Sequence, residues 1–394
     1  MTESVIVAGA RTPIGKFLGA FSGLSAADLG GAAIAEALRR STVAPEQVDY
    51  VIMGHVLQGG AGQITARQAA VKGGIGMGVP AVTINKVCLS GLNAIALADQ
   101  LIRAGEVEMV VAGGMESMTN APYAMPKARQ GARMGNAELV DLMIHDGLWC
   151  AFDHCHMGES TDQVNAALGI TRAEQDEWAA QSQERAVDAV KGGRLGEEIV
   201  AVEAPGRRGA GGRVETDEGV RPGTTPETLA RLGPAFVPEG TITAGNASQI
   251  SDGAAAVVVT SRARAEAEGL PILATILAHG MAAGPDPSLV SQPSHAIQAA
   301  AAKLGREPGG FDLYEINEAF AAVALWSSKE LGVGPERVNV NGGAIALGHP
   351  IGASGARLVL TLAYELSRRG GGIGAAALCG GGGQGDALLI RAGS

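Results

Sequence analysis

Two stretches of this sequence copy one another. Cys88-Leu-Ser-Gly opens an apolar segment of helical spacing that ends near Gly105 and feeds a strand-like run at 109–113. Gly352-Ala-Ser-Gly opens a second, which ends near Gly370 and feeds 373–379. One offset, 354 − 90 = 264 residues, relates both Ser-Gly pairs. A helix running straight into a buried strand is part of a βαβ unit, whose strands lie parallel in one sheet. The repeat therefore predicts two similar βαβ-containing halves packed face to face.

The rest of the chain alternates in the same manner. Apolar runs of strand length fall at 5–8, 50–57, 82–85, 254–260, 272–280, 311–316 and 386–391. A helix begins after Ser25, where Asp28 completes a capping-box pattern and Leu29, Ala33, Ile34, Ala37 and Leu38 share one face. Further helices are predicted over 64–72, 90–104, 295–304, 319–331 and 352–369. This is the signature of an α/β fold with a parallel or mixed sheet covered by helices. From 119 to 245 the pattern loosens into short helices (138–147, 160–168, 171–191) and a glycine- and arginine-rich run at 205–223. The expected division is an N-terminal half (1–118 with 246–270) carrying Cys88, an inserted loop domain (119–245), and a C-terminal half (271–394) carrying His349 and Cys379.

Composition narrows the classes of function. Glycine makes up 59 of 394 residues, about twice its usual share. Without a three-residue period, and with 46% hydrophobic residues, this is neither collagen nor a disordered chain. It implies tight turns and close approach of backbone to something bound. A net charge of −10 argues against nucleic acid as a partner. The longest apolar runs are strand-sized, which predicts no membrane span. Met-Thr-Glu-Ser at the start lacks the basic character of a targeting signal. Four cysteines are too few for a disulfide framework, so a reducing cytoplasm is expected.

The residues able to do chemistry cluster at strand–helix junctions. Cys88 lies between a strand and a helix start, where free N–H groups and the helix dipole favour thiolate. Its bland alternative is a small core residue. His349, followed by proline and flanked by glycines, must occupy a loop before the 352–369 helix, where it could activate a thiol or simply bond to backbone. Cys379 ends a strand and enters Gly380-Gly-Gly-Gly-Gln-Gly. That hexapeptide imitates a dinucleotide fingerprint, but a strand follows it where a helix is required. Its glycines instead let main-chain N–H groups approach a substrate carbonyl. Asn317 reads as a helix N-cap or as the holder of a water or carbonyl. Cys150, Asp153, His154, Cys155 and His156 resemble a metal site in composition only, since their spacing is poor, and one histidine facing a pocket is the better reading. Arg207, Arg208, Arg213 and Arg221 form either solvated loop charge or a local phosphate site.

Together these motifs resemble the thiolase family, in its acetyl-CoA acetyltransferase branch. The likeness runs end to end. It includes Arg11-Thr-Pro-Ile-Gly, Ala112-Gly-Gly-Met-Glu-Ser-Met, His156-Met-Gly, Thr243-Ala-Gly-Asn-Ala-Ser and Asn317-Glu-Ala-Phe. The run from Asn341 through His349 to Arg357 and the Cys379 glycine stretch complete it. The resemblance implies a thiolase-like fold, with two similar halves in a layered αβαβα core and an inserted loop domain. It implies reversible ping-pong Claisen condensation of two acetyl-CoA to acetoacetyl-CoA and CoA. Cys88 would carry the acetyl group, aided by His349, and Cys379 would deprotonate the second acetyl-CoA. One oxyanion site would use His349 and a water on Asn317; the other would use the N–H groups of Cys88 and Gly381. CoA would lie against the 119–245 excursion, with Ser248 on the pantetheine and Arg221 near the nucleotide. His156, Met157, Phe236, Ala319 and Phe320 would line the acyl pocket. CoA thioesters enter as substrates, with no permanent cofactor and no metal. A homo-oligomer is implied, a tight dimer paired into a tetramer through part of 119–245.

Departures from the family pattern also appear. Leu89 replaces the usual glycine after the nucleophile, and Gly380 replaces the usual bulky aliphatic after the base. Asp286-Pro-Ser-Leu-Val-Ser-Gln-Pro stands where a Met-Gly-x-Gly-Pro stretch is usual. These leave open a 3-ketoacyl-CoA thiolase of fatty-acid degradation with longer chains. A catalytically silent acyl-CoA or lipid-binding relative would need a missing catalytic residue, and all are present.

Overall fold

The computed structural model describes residues 2–205 and 211–393. Its strands are β1 (Ser4–Arg11), β2 (Tyr50–Gly54), β3 (Ala81–Ile84), β4 (Met109–Ser117), β5 (Ser251–Ser261), β6 (Ala274–Ala283), β7 (Leu313–Ile316), β8 (Gly372–Gly380) and β9 (Gln384–Ala392). The longer helices are α1 (Ala26–Ser41), α2 (Thr65–Lys72), α3 (Ser90–Ala104), α4 (Met157–Leu168), α5 (Arg172–Lys191), α6 (Gln292–Lys303), α7 (Ala321–Leu331) and α8 (Ser354–Arg368). The strands pair in the order β7-β8-β9-β6-β1-β5-β4-β2-β3 within one 10-stranded sheet, whose tenth member, Gly15–Lys16, hangs on β5.

That order is one motif used twice. In the first half β2 and β4 pair in parallel, then β5 and β1 follow antiparallel. In the second half β7 and β8 pair in parallel, then β9 and β6 follow antiparallel. Along the sheet the halves are joined edge to edge, among the described residues, by two residue pairs, Val5 with Thr275 and Ile6 with Ala274, and they also pack through the helices between them.

Strand alternation then builds the layers. On β4, Val110 and Ala112 face a central core, while Met109, Val111 and Met115 face an outer one with α1 and α2. On β8, Ala376 and Leu378 face the same central core, while Ala375 and Ala377 face the outer cluster of α6 and α7. Strands buried on both faces explain why these runs read as continuous apolar sequence rather than as alternation. Helices α3 and α8 fill the central layer, giving the expected αβαβα stack.

The Ser-Gly repeat has a packing reason. A Cβ on Gly91 would lie 2.8 Å from the backbone N of Ala356, and one on Gly355 would collide with the backbone N of Leu92. The two helix starts press backbone to backbone, each with its glycine against the other. Only the absence of a side chain allows that approach.

Ser25 and Asp28 form the capping box as expected, and Thr171 with Glu174 forms another at α5. The excursion is pinned to the core by buried ion pairs. Arg11 bonds Glu198 at 2.6 Å and Asp217 at 2.7 Å. Glu318 accepts from Trp178 Nε1 at 3.0 Å and Ser182 Oγ at 2.7 Å on α5. Two expectations need correction. The helix predicted over 138–147 is a two-residue strand, Val140–Asp141, and a single wide turn, Met143–Leu148, with an Asp141 carboxylate accepting from Met143 N at 2.9 Å. The stretch Val87–Ala104 has a mean hydropathy of 1.2 and reaches membrane-spanning length, contrary to the strand-sized reading. It is mostly α3, and its apolarity follows from burial between the two halves of the sheet.

Candidate active site

The turn that carries Cys88 is held by two of its own side chains. Ser90 Oγ accepts from Lys86 N at 2.8 Å and donates to the Val87 carbonyl at 2.6 Å. Asn85 Oδ1 accepts from Val87 N at 2.9 Å. Between them Val87 sits at φ 51°, a left-handed conformation costly for a β-branched side chain. This sharp turn sets Cys88 just ahead of α3, buried but facing a cavity.

His349 stands on the loop before α8. Its Nδ1 lies 2.6 Å from Ser354 Oγ, and that hydroxyl is 2.9 Å from the Pro350 carbonyl. A carbonyl only accepts, so Ser354 spends its one proton on Pro350 and accepts from Nδ1–H. Nε2 is thereby left bare. It faces Cys88 Sγ at 3.3 Å and Asn317 Nδ2 at 3.4 Å. Asn317 is not a helix cap, because α7 starts at Ala321 with Phe320 as its cap. Its Oδ1 is buried and has no hydrogen-bond partner among the described residues.

Burial sets the charge state. Cys88 is pushed up to about 12, mainly by desolvation and further by the Glu116 carboxylate, with the N–H groups of Cys88 and Gly381 acting in the opposite direction. Those two amides thus converge on the sulfur. Cys379 is raised by burial and then by Cys88. His349 is lowered to about 3 by burial and then by Arg357. The resting site therefore holds two thiols and a neutral imidazole, not the preformed thiolate expected of a helix start. Desolvation outweighs the end of the helix dipole here. Charge can appear only as a proton passes between these groups.

The cavity measures about 290 Å³. Cys88, His349, Cys379 and Gly381 line it, together with His156, Met157, Phe236, Ser248, Ala319 and Phe320. His156 stacks on Phe236 with ring centres 4.6 Å apart, and Phe320 meets Phe236 edge-on at 6.1 Å. A Cβ at Gly158 would collide with the Phe236 ring, so the glycine of His-Met-Gly leaves space for that wall. Arg221 lies outside the cavity. Its guanidinium reaches Gln249 Oε1 at 3.4 Å, one residue beyond Ser248, and it borders an open groove with Lys191, Thr224 and Thr225.

Sequence reasoning missed several participants. Ser354 reads in sequence only as part of a helix opening. Leu289, from the departing 286–293 segment, packs with Cys379 and Phe320. Glu116 sits wholly buried beneath the site, accepting from Val56 N, Leu57 N and Gly352 N at 2.9–3.2 Å. Its place in Met-Glu-Ser offered a signal, a charged residue inside a buried strand.

The cysteine–histidine hairpin is used in other ways. Cys150 and Cys155 are cross-strand partners, Asp153 accepts from Ser160 Oγ, and His156 joins the cavity wall. Among the described residues, no group of three or more His, Cys, Asp or Glu is placed to hold a metal. Arg213 pairs with Glu215 at 2.7 Å on an exposed strand, and Arg207 and Arg208 lie outside the described residues.

Two family models cover nearly the whole chain. The thiolase N-terminal domain matches residues 4–263 and the thiolase C-terminal domain matches residues 270–392. A probable acetyl-CoA acetyltransferase of Mycolicibacterium smegmatis is 57% identical over 387 residues, 98% of this chain and 100% of that protein. The acetyl-CoA acetyltransferase of Pseudomonas aeruginosa is 51% identical over 391 residues, 99% of each. The crystal structure of the Bacillus anthracis acetyl-CoA acetyltransferase superposes with a TM-score of 0.96 at 41% identity, covering 100% of this chain and 99% of that one.

Proposed function

The chain belongs to the thiolase family, and from that premise we propose that it is an acetyl-CoA C-acetyltransferase. It joins two acetyl-CoA into acetoacetyl-CoA and CoA, and runs the reverse cleavage, through an acetyl group on Cys88. The observation that carries this reading is the bare Nε2 of His349, 3.3 Å from Cys88 Sγ in a cavity shared with Cys379.

Proton accounting follows from the neutral resting state. His349 Nε2 takes the Cys88 proton as Sγ attacks the acetyl thioester, and the Cys88 and Gly381 amides meet the oxyanion. The departing CoA sulfur takes the Cys379 proton. Cys379 is now a thiolate beside an imidazolium, two opposite charges that stabilise each other in a low-dielectric site. That thiolate removes a proton from the methyl of the second acetyl-CoA, whose carbonyl oxygen lies against His349 and a water on Asn317. The carbanion attacks acetyl-Cys88, Cys88 leaves as thiolate, and His349 returns its proton. Each group ends as it began.

The remaining roles rest on position. Ser248 contacts the pantetheine and Arg221 the nucleotide end, supported by their adjacency through Gln249. The division into 1–118 with 246–270, 119–245 and 271–394 is supported by the doubled strand order. Exposed Tyr123, Met134, Leu139 and Trp149 on the excursion support a homo-oligomer, a tetramer. Free thiols at all four cysteines suit the cytoplasm. A chain-length series of 3-ketoacyl-CoA thiolysis tests the assignment. Fastest cleavage of acetoacetyl-CoA supports it; a strong preference for long chains moves the protein to fatty-acid degradation.

A further inference from the structure

One buried carboxylate touches both sides of the nucleophile turn. Asp386 is fully buried on β9. Its Oδ1 accepts from Lys86 Nζ at 2.8 Å and its Oδ2 from Asn93 Nδ2 at 3.2 Å, with His279 Nε2 3.7 Å away. Lys86 precedes Cys88 by two residues and Asn93 follows it by five, so these two donors bracket the nucleophile. On its own strand Asp386 adjoins Gly385, the register partner of Cys379, and itself pairs with Leu378. Cys88 and Cys379 come from different halves of the chain, and this carboxylate connects the elements that carry them. The strained Val87 lies inside the bracket, and a left-handed β-branched residue persists only where its surroundings hold it.

We propose that Asp386, through Lys86 and Asn93, is a positioning residue that fixes Cys88 relative to Cys379. The inference rests on the thiolase reading, since only that chemistry requires the two sulfurs to act on one carbon–carbon bond. Acetylation of Cys88 depends chiefly on its contact with His349, and when Cys379 is displaced the departing CoA sulfur takes its proton from water instead. Carbon–carbon bond formation and cleavage require both sulfurs in register.

The test compares two rates in wild type and in Asp386→Asn, Lys86→Met and Lys86→Arg. One is acetylation of Cys88 by acetyl-CoA, read by rapid quench and mass spectrometry. The other is acetoacetyl-CoA thiolysis, with thermal melting to confirm folding. Thiolysis should fall about 10- to 100-fold in Asp386→Asn and Lys86→Met, the scale of an ångström-sized misplacement. Acetylation should change less than about 3-fold, and Lys86→Arg should restore most of the thiolysis, because the charge and reach are kept. Equal losses in both rates would make the cluster a general stability element and overturn the positioning role. Unchanged thiolysis in both neutralised variants would overturn it as well. Should Asp386→Asn fail to fold, the two Lys86 variants decide the matter by the same ratio. Wild type lacking both activities would instead defeat the thiolase reading itself.

Discussion

Leu89 Cγ lies 2.6 Å from the point where a Cβ on Gly380 would stand. The two residues follow Cys88 and Cys379 directly in the chain. They compensate one another: the leucine after the nucleophile fills the space that a side chain after the base cysteine would take. Leu89 is fully buried, so the fit is a core contact rather than a surface accident. Adding a methyl there forces a clash that a packed interior resolves poorly, at about 1–3 kcal/mol. Gly380→Ala should therefore lower stability by that order and reduce thiolysis. Leu89→Ala alone should cost about 2–5 kcal/mol as a core truncation, and the two changes together should cost less than their sum, leaving a coupling energy of about 1 kcal/mol or more in a double-mutant cycle. Additive effects in denaturant melts would contradict the compensation.

Ser354 sets the tautomer of His349. Without its oxygen the imidazole loses the acceptor for Nδ1–H and no longer holds a bare Nε2 toward Cys88. Ser354→Ala should lower the rate of Cys88 acetylation about 10- to 100-fold, as loss of an orienting partner does elsewhere. KM for acetyl-CoA should change little, and Ser354→Thr should retain most of the rate. A raised KM with unaltered kcat would assign the serine to binding instead.

Much of this was legible in sequence, and the reasons for the exceptions are physical. The Ser-Gly repeat encoded the doubled fold because backbone contact between α3 and α8 tolerates no side chain at Gly91 or Gly355. Cys88 stood out because it lies at a strand–helix junction, and His349 and Cys379 because each lies at a strand or loop end beside glycines. Ser354 and Leu289 did not, since serine at a helix start and leucine in a loop are common in any chain; only three-dimensional proximity gives them a role. The 138–147 helix failed because local apolar spacing could not reveal that the Asp141 carboxylate captures Met143 N and breaks the turn. The thiolate expectation failed because sequence reports the helix end near Cys88 but not how completely the site is dried.

The depressed histidine has a consequence for stability. Burial lowers His349 to about 3 in the folded chain, against about 6.5 when unfolded. Between those values the unfolded chain binds the extra proton, so stability is full above about pH 6.5 and falls as pH drops toward 3. At about pH 4.5 the histidine alone should cost about 2–3 kcal/mol relative to neutral pH. His349→Gln, which cannot titrate, should show a shallower loss between these conditions in urea unfolding. An identical acid dependence in both proteins would assign it to other groups.

Met157 and Phe236 line a cavity of about 290 Å³, on the wall we assign to the acyl group. Shortening Met157 to alanine removes side-chain volume from that wall without touching Cys88, His349 or Cys379. The ratio of kcat/KM for a six-carbon 3-ketoacyl-CoA to that for acetoacetyl-CoA should rise about 30-fold or more, since each of the two added methylenes is worth about 1–3 kcal/mol in such a pocket. A fall in both values with an unchanged ratio would place the limit elsewhere, with Leu289 the next side chain to shorten.

The central claim is that Cys88, deprotonated by His349, carries the acetyl group while Cys379 serves as base. Acid quench of the enzyme after brief exposure to acetyl-CoA, followed by peptide mass spectrometry, tests it directly. One acetyl group should appear on the peptide containing Cys88, vanish in Cys88→Ala, and still form in Cys379→Ala, which should have lost thiolysis. Acetyl on Cys379, or full thiolysis by Cys88→Ala, would contradict the account.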